Sequence, residues 1–149
     1  MPLGVYGIDP GASNIGVGVI LTGNGRPVRD ALIANEPVAV WRKLEWWIQT
    51  TTGQYGDRHM RWVVVVENYT GAGFRDRDSV VTLHQVGYFK HRCTEAGLTV
   101  VTPEPGARKR ALQWAYDQLE VVRGVGHDPD HVSALAHAKA YLEREGVHL

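Results

Sequence analysis

The chain has a single cysteine, Cys93, in 149 residues. A lone thiol closes no internal disulfide and builds no cysteine-based zinc site, which excludes a disulfide-stapled scaffold and a cysteine zinc module. Long apolar runs are also lacking, since none approaches the roughly 18 residues that span a bilayer. The opening MPLGVYGIDP has neither the basic stretch nor the apolar core of a secretion signal. The expectation is a cytoplasmic setting with no membrane. Net charge is absent too, with 16 Lys and Arg against 16 Asp and Glu. That balance argues against a polyanionic partner unless the charges are segregated along the chain. They are segregated. Residues 72–110 carry a net +3 and residues 111–149 a net −3. A basic groove beside an acidic, metal-binding cluster gives such a pattern, and so does random scatter.

A hydrophobic share of 44% and a charged share of 21% belong to an ordinary globular protein, and this length suits one domain, residues 1–149. Val5–Asp9, closed by Pro10-Gly11, reads as a strand. Ile15–Leu21 follows as a second, ended by the hairpin signal Gly23-Asn24-Gly25, and Val28–Asn35 as a third. From Val38 to about Thr51, Val40, Trp41, Leu44, Trp47 and Ile48 recur at helical spacing. Trp62–Val66 is an apolar run suited to a strand buried on both faces. Ser79 to about Ala96 predicts a helix ended by Gly97, and Leu98–Val101 a short strand. Two more helices are expected, from Ala107 to about Val122 and from Pro129 to about Glu145, the last capped by Asp128. Trp41, Trp46, Trp47 and Trp114 are expected to pack in the interior. The fold class is α/β: a five-stranded mixed sheet, made of a three-strand antiparallel meander plus two further strands, flanked by helices.

Three carboxylates stand at element ends: Asp9 after the first strand, Glu67 after the fourth, and Asp130 in the first turn of the last helix. Each has an ordinary explanation alone, as a turn residue, a strand exit or a partner of the helix dipole. If the first and fourth strands are neighbours, Asp9 and Glu67 emerge at one edge. Oxygen-only ligands of this kind suit Mg²⁺ or Mn²⁺, and two such ions activate water and stabilise the leaving oxygen of a phosphodiester.

Gly7-Ile8-Asp9-Pro10-Gly11 with Gly16-Val17-Gly18-Val19, then Val65-Val66-Glu67, then Asp130-His131-Val132-Ser133-Ala134-Leu135-Ala136 resemble, in order, the three motifs of the RuvC family of Holliday junction resolvases. The resemblance spans nearly the whole chain. It implies an RNase H-like fold and metal-dependent cleavage of four-way and other branched DNA. It also implies two Mg²⁺ (or Mn²⁺) per site and a homodimer formed through the helix at 79–96, with a bacterial or phage source. Asp9, Glu67 and Asp130 become catalytic and metal-binding, and Lys109 matches a lysine associated with the active site. Ser133 stands where the family usually has its last aspartate, so Asp128, His127 and His131 compete for that role. His131 and His137 otherwise read as surface or satisfied helical histidines. Arg108, Lys109 and Arg110 at a helix start suit phosphates. Tyr69, Phe74 and Arg75, in the loop after Glu67, are placed to meet junction DNA.

Other readings stay open. YqgF-like RNA-processing nucleases share the Asp-x-Gly start but typically have a Gly-Leu-Pro-like stretch where this chain has Val66-Glu67-Asn68-Tyr69. Sugar kinases and actin-like ATPases share a similar phosphate loop but need two such domains, so no nucleotide cofactor is expected. A catalytically weak junction-binding protein is the reading that Ser133 invites.

Overall fold

The computed structural model describes residues 2–23, 28–54, 60–69 and 77–147. Strands β1 (Leu3–Asp9), β2 (Ile15–Leu21) and β3 (Val28–Ala34) form the expected antiparallel meander. β4 (Arg61–Val66) pairs parallel to β1, and β5 (Thr99–Val101) parallel to β4. The order across the sheet is β3-β2-β1-β4-β5, which makes β1 and β4 direct neighbours.

Alternation along β4 explains its apolar run. Val64 and Val66 face one layer and Val63 and Val65 the other, and all four are buried. The first layer holds α1 (Pro37–Gln54) and α2 (Arg77–Glu95), through Val40, Trp41, Leu44 and Trp47 and through Val86, Phe89 and Cys93. Tyr6 adds a buried bond, its hydroxyl donating to the Val40 carbonyl at 2.7 Å. The second layer holds α3 (Leu112–Gln118) and α4 (Asp130–Arg144), through Leu112, Ala115, Val132, Leu135, Ala138 and Leu142.

The glycines of β1 and β2 set how closely α4 approaches. A Cβ on Gly7 would collide with the Ala134 carbonyl, one on Gly16 with the Asp130 carbonyl, and one on Gly18 with the Leu135 backbone. Glycine weakens a strand by roughly 0.5–1 kcal/mol relative to alanine. Here it lets the helix backbone lie against the sheet. Gly16 pairs with Asp9 across the β1–β2 ladder, so the first turn of α4 is set down beside Asp9.

Three expectations need correction. The segment expected as one helix from Ala107 to Val122 is a 3₁₀ turn (Pro105–Ala111) followed by the short α3. Pro105-Gly106 opens it, Arg108 folds back so that Nη1 donates to the Pro105 carbonyl at 3.0 Å, and Glu120 at φ 55° ends it in the left-handed region. Asp128 does not cap α4. The cap position is Pro129, and Asp128 instead accepts a hydrogen bond from the Tyr116 hydroxyl. Trp46 is not core but 48% exposed, packed edge-on against Trp47 with the Lys43 ammonium 4.3 Å from its ring centroid. Trp41 and Trp47 are buried as expected, and Trp114 packs partly buried against the second layer.

Candidate active site

Asp9 is the last residue of β1, and Glu67 follows β4 directly. The Glu67 amide donates to the Ile8 carbonyl at 3.0 Å, which extends the parallel ladder by one step and brings the two carboxyl groups side by side. Asp130 enters from α4 above Gly16. Ser133 and His137 lie three and seven residues further on, on the same helical face. Glu67 is held from the other side. Arg108 Nη1 donates to its Oε1 at 3.0 Å, and His137 Nε2 lies 3.3 Å from its Oε2. Asp9, Pro10, Glu67, Asn68, Tyr69 and Thr82 line a cavity of about 40 Å³, room for a water or a single ion.

Burial first, and then the neighbouring Glu67 and Asp130 carboxylates, push the Asp9 carboxyl up to about 8, against a smaller opposing pull from Ser133. Burial also acts to raise Glu67, but His137, the hydrogen bond with Asp9 and the Arg108 guanidinium together outweigh it and hold Glu67 below the usual range. Asp130 is raised by burial and by Glu67, with His131 partly offsetting both. Near neutral pH, Asp9 therefore keeps a proton that bridges it to ionised Glu67. A dication in the same place would neutralise the carboxylates without that proton. Among the described residues, no three His, Cys, Asp or Glu side chains close into a ready-made metal cage. The oxygen donors fit a hard ion such as Mg²⁺, which keeps several waters and takes only one or two carboxylates from the protein.

Of the residues singled out from sequence, Asp9, Glu67 and Asp130 converge. Lys109 and Arg110 are exposed on the 3₁₀ turn, and their neighbour Arg108 is the base that reaches the carboxylates. Tyr69 is not an exposed stacking surface. Its hydroxyl bonds Ser79 Oγ at 2.7 Å and its ring packs on the first-layer core, tying the loop after Glu67 to α2. His127 is exposed in the loop before α4. Phe74 and Arg75 lie outside the described residues.

Two residues carry more of the site than their sequence positions announced. His137 was expected at the surface or satisfied, yet it is buried against Glu67. The signal was its spacing of seven from Asp130, which returns it to the same face after two turns. Gln85 is buried at a core-facing position of α2. Its Oε1 accepts from the Gly11 amide and its Nε2 donates to the Gly11 carbonyl, both at 3.0 Å, clamping the turn that follows Asp9 as another peptide would. A glutamine among Thr82, Val86, Phe89 and Cys93 was the visible clue.

No family model and no curated protein matches the chain. Solved structures do. Thermus thermophilus RuvC in complex with Holliday junction substrate superposes with a TM-score of 0.58 at 18% identity, over 97% of this chain and 96% of that one. A second T. thermophilus RuvC structure gives 0.55 at 19% identity, over 97% and 98%. The fold is that of RuvC. The fowlpox virus Holliday junction resolvase is similar as well, with a TM-score of 0.51 at 14% identity over 96% of this chain and 99% of that one. At such identities the likeness to RuvC is one of backbone path, and it agrees with the RNase H-like sheet order and the crossover from β1 to a parallel β4.

Proposed function

We propose that this chain is a structure-selective endonuclease that hydrolyses phosphodiester bonds in branched DNA, four-way junctions above all, with Mg²⁺ or Mn²⁺. The observation that carries this reading is the half-buried carboxyl pair Asp9–Glu67 at the end of two parallel strands, met by Asp130 from α4. Support comes from the RuvC likeness, which includes a protein solved with junction DNA.

Asp9, Glu67 and Asp130 would hold the ions. When bound, they supply an activated water and stabilise the leaving oxygen. Arg108 fixes the Glu67 carboxylate, since a guanidinium bound to one oxygen leaves a single orientation for the other. Gln85 keeps the turn at Pro10-Gly11 closed and with it the direction of Asp9. Lys109 and Arg110 present exposed cations beside the site, where they meet DNA phosphates. All of this falls within one domain, residues 1–149. The partner chain is a second copy, docked through the outward face of α2, where Val80, Leu83, Gly87 and Lys90 point away from the core that Val86 and Phe89 enter. A twofold dimer of that kind cuts two strands symmetrically, leaving 5′-phosphate ends.

The test is to incubate the protein with labelled four-way junction, fork, flap and linear duplex, with Mg²⁺ and with chelator. Paired symmetric cuts in the junction that vanish with chelator are expected, and Asp9→Asn or Glu67→Gln should abolish cutting while junction binding persists. Wild-type rates from Asp9→Asn would end the assignment. Ser133, a neutral residue between Asp130 and His137, supports a second reading, a protein that binds junctions without cutting them. Binding with no metal-dependent nick would favour it.

A further inference from the structure

His137 is the most unusual polar group in the second layer. It is 1% exposed, its Nδ1 has no hydrogen-bond partner, and its Nε2 faces the Glu67 carboxylate. Ser133, one turn earlier on the same face, is also 1% exposed and stands beside the Asp9 carboxyl. A buried polar atom left unsatisfied costs about 1–3 kcal/mol, so such groups ordinarily mark a water or an ion. The imidazole is directed at the site, since its Nε2 lies 3.3 Å from Glu67 Oε2. Two donors bound side by side to one ion at about 2.1 Å stand about 3 Å apart, so this spacing suits neighbouring ligands.

Resting on the reading above that this is a metal site, we propose that His137 is a nitrogen ligand beside Glu67. The ion there is then a borderline first-row dication, taken in preference to Mg²⁺. Asp9, Glu67 and Asp130 offer oxygen only, the donor chemistry of Mg²⁺. An imidazole shifts the balance, because nitrogen donors favour transition ions and Mg²⁺ gains little from them. Two turns of α4 thus present an oxygen donor at Asp130 and a nitrogen donor at His137.

Mn²⁺ is the probe, because its pulsed EPR spectrum registers coupling to a bound ¹⁴N nucleus. Wild-type protein titrated with Mn²⁺ should show that coupling, His137→Gln should lose it, and His131→Gln should keep it. His131 is the necessary control, because its Nδ1 is also buried without a partner. By calorimetric titration, His137→Gln should weaken Mn²⁺ binding on the order of tenfold or more and leave Mg²⁺ binding within about threefold. Mn²⁺ bound with no ¹⁴N coupling, or coupling lost in His131→Gln alone, overturns the ligand assignment but spares the metal site. No Mn²⁺ binding at all overturns both. The wild-type spectrum decides the point even if His137→Gln fails to fold.

Discussion

Asp9→Asn should stabilise the metal-free protein at alkaline pH, and the size of the gain tests the electrostatics of the whole site. In the folded chain, burial first and the Glu67 and Asp130 carboxylates second move the Asp9 carboxyl from an ordinary 3.8 to about 8. Between those values the folded state holds a proton that the unfolded state has released, so stability falls as pH rises through this window and is lowest above it. Taken alone, that difference corresponds to a ceiling on the order of 5 kcal/mol. Glu67, held low by His137, Asp9 and Arg108 against its own burial, takes up part of the pair's burden, so about 2–3 kcal/mol is the expected remainder. Asparagine never ionises and escapes the penalty. Urea or thermal unfolding in chelator should find the two proteins within about 1 kcal/mol near pH 4. Near pH 8.5 the variant should be ahead by about 2–3 kcal/mol, or roughly 5–10 °C for a chain of this size. Adding Mg²⁺ or Mn²⁺ at pH 8.5 should raise the wild type more than the variant, because the ion relieves the repulsion that asparagine has removed. A wild type that matches the variant at both pH values, or gains on it as pH rises, would refute a buried carboxyl strained by its neighbours.

Gly16→Ala places a methyl group against the Asp130 carbonyl, and overpacking of that kind costs about 1–3 kcal/mol. Because the first turn of α4 must lift, cleavage should fall far more than the melting temperature does, and cleavage retained in proportion to stability would refute the close approach. Gln85→Ala unclamps Gly11. Metal affinity should drop with little change in junction affinity, and Gln85→Glu should not rescue it, since a carboxylate has no N–H to donate to the Gly11 carbonyl. Leu83→Asp, on the exposed face of α2, should yield monomers by analytical ultracentrifugation while the fold by circular dichroism persists; an unchanged dimer would move the interface elsewhere.

The layout was legible where periodicity is strong. The meander, the buried run Val63–Val66 and the helices at Pro37–Gln54, Arg77–Glu95 and Asp130–Arg144 all stand within a few residues of their expected positions. The end of β1 and the exit of β4 predicted that Asp9 and Glu67 would meet, because neighbouring parallel strands share an edge. The region after Pro103 was illegible. Its helical spacing is real, but Pro105 opens a 3₁₀ turn and Arg108 turns inward to Glu67, and no local pattern encodes a pairing across 41 residues. The inward role of His137 was hidden for a related reason. A histidine on an apolar helix face reads the same whether it caps a core or faces a carboxylate, and only the register of α4 against Gly7, Gly16 and Gly18 separates the two.

That register is the step on which the chemistry turns. Three carboxylates gathered at a sheet edge repel one another and lose hydration, and both effects raise Asp9. A helix docked at ordinary distance would leave Asp130 further out in solvent and relax the strain, together with the affinity for a cation. The absence of Cβ atoms along β1 and β2 permits α4 to sit so low that its first-turn carboxylate is half withdrawn from water and is raised by Glu67. Arg108 and His137 then steady Glu67, the member of the cluster held below the usual carboxylate range. The site is thus kept short of positive charge by its packing and short of collapse by two side chains from the second layer, which is the condition in which a divalent ion adds most to stability.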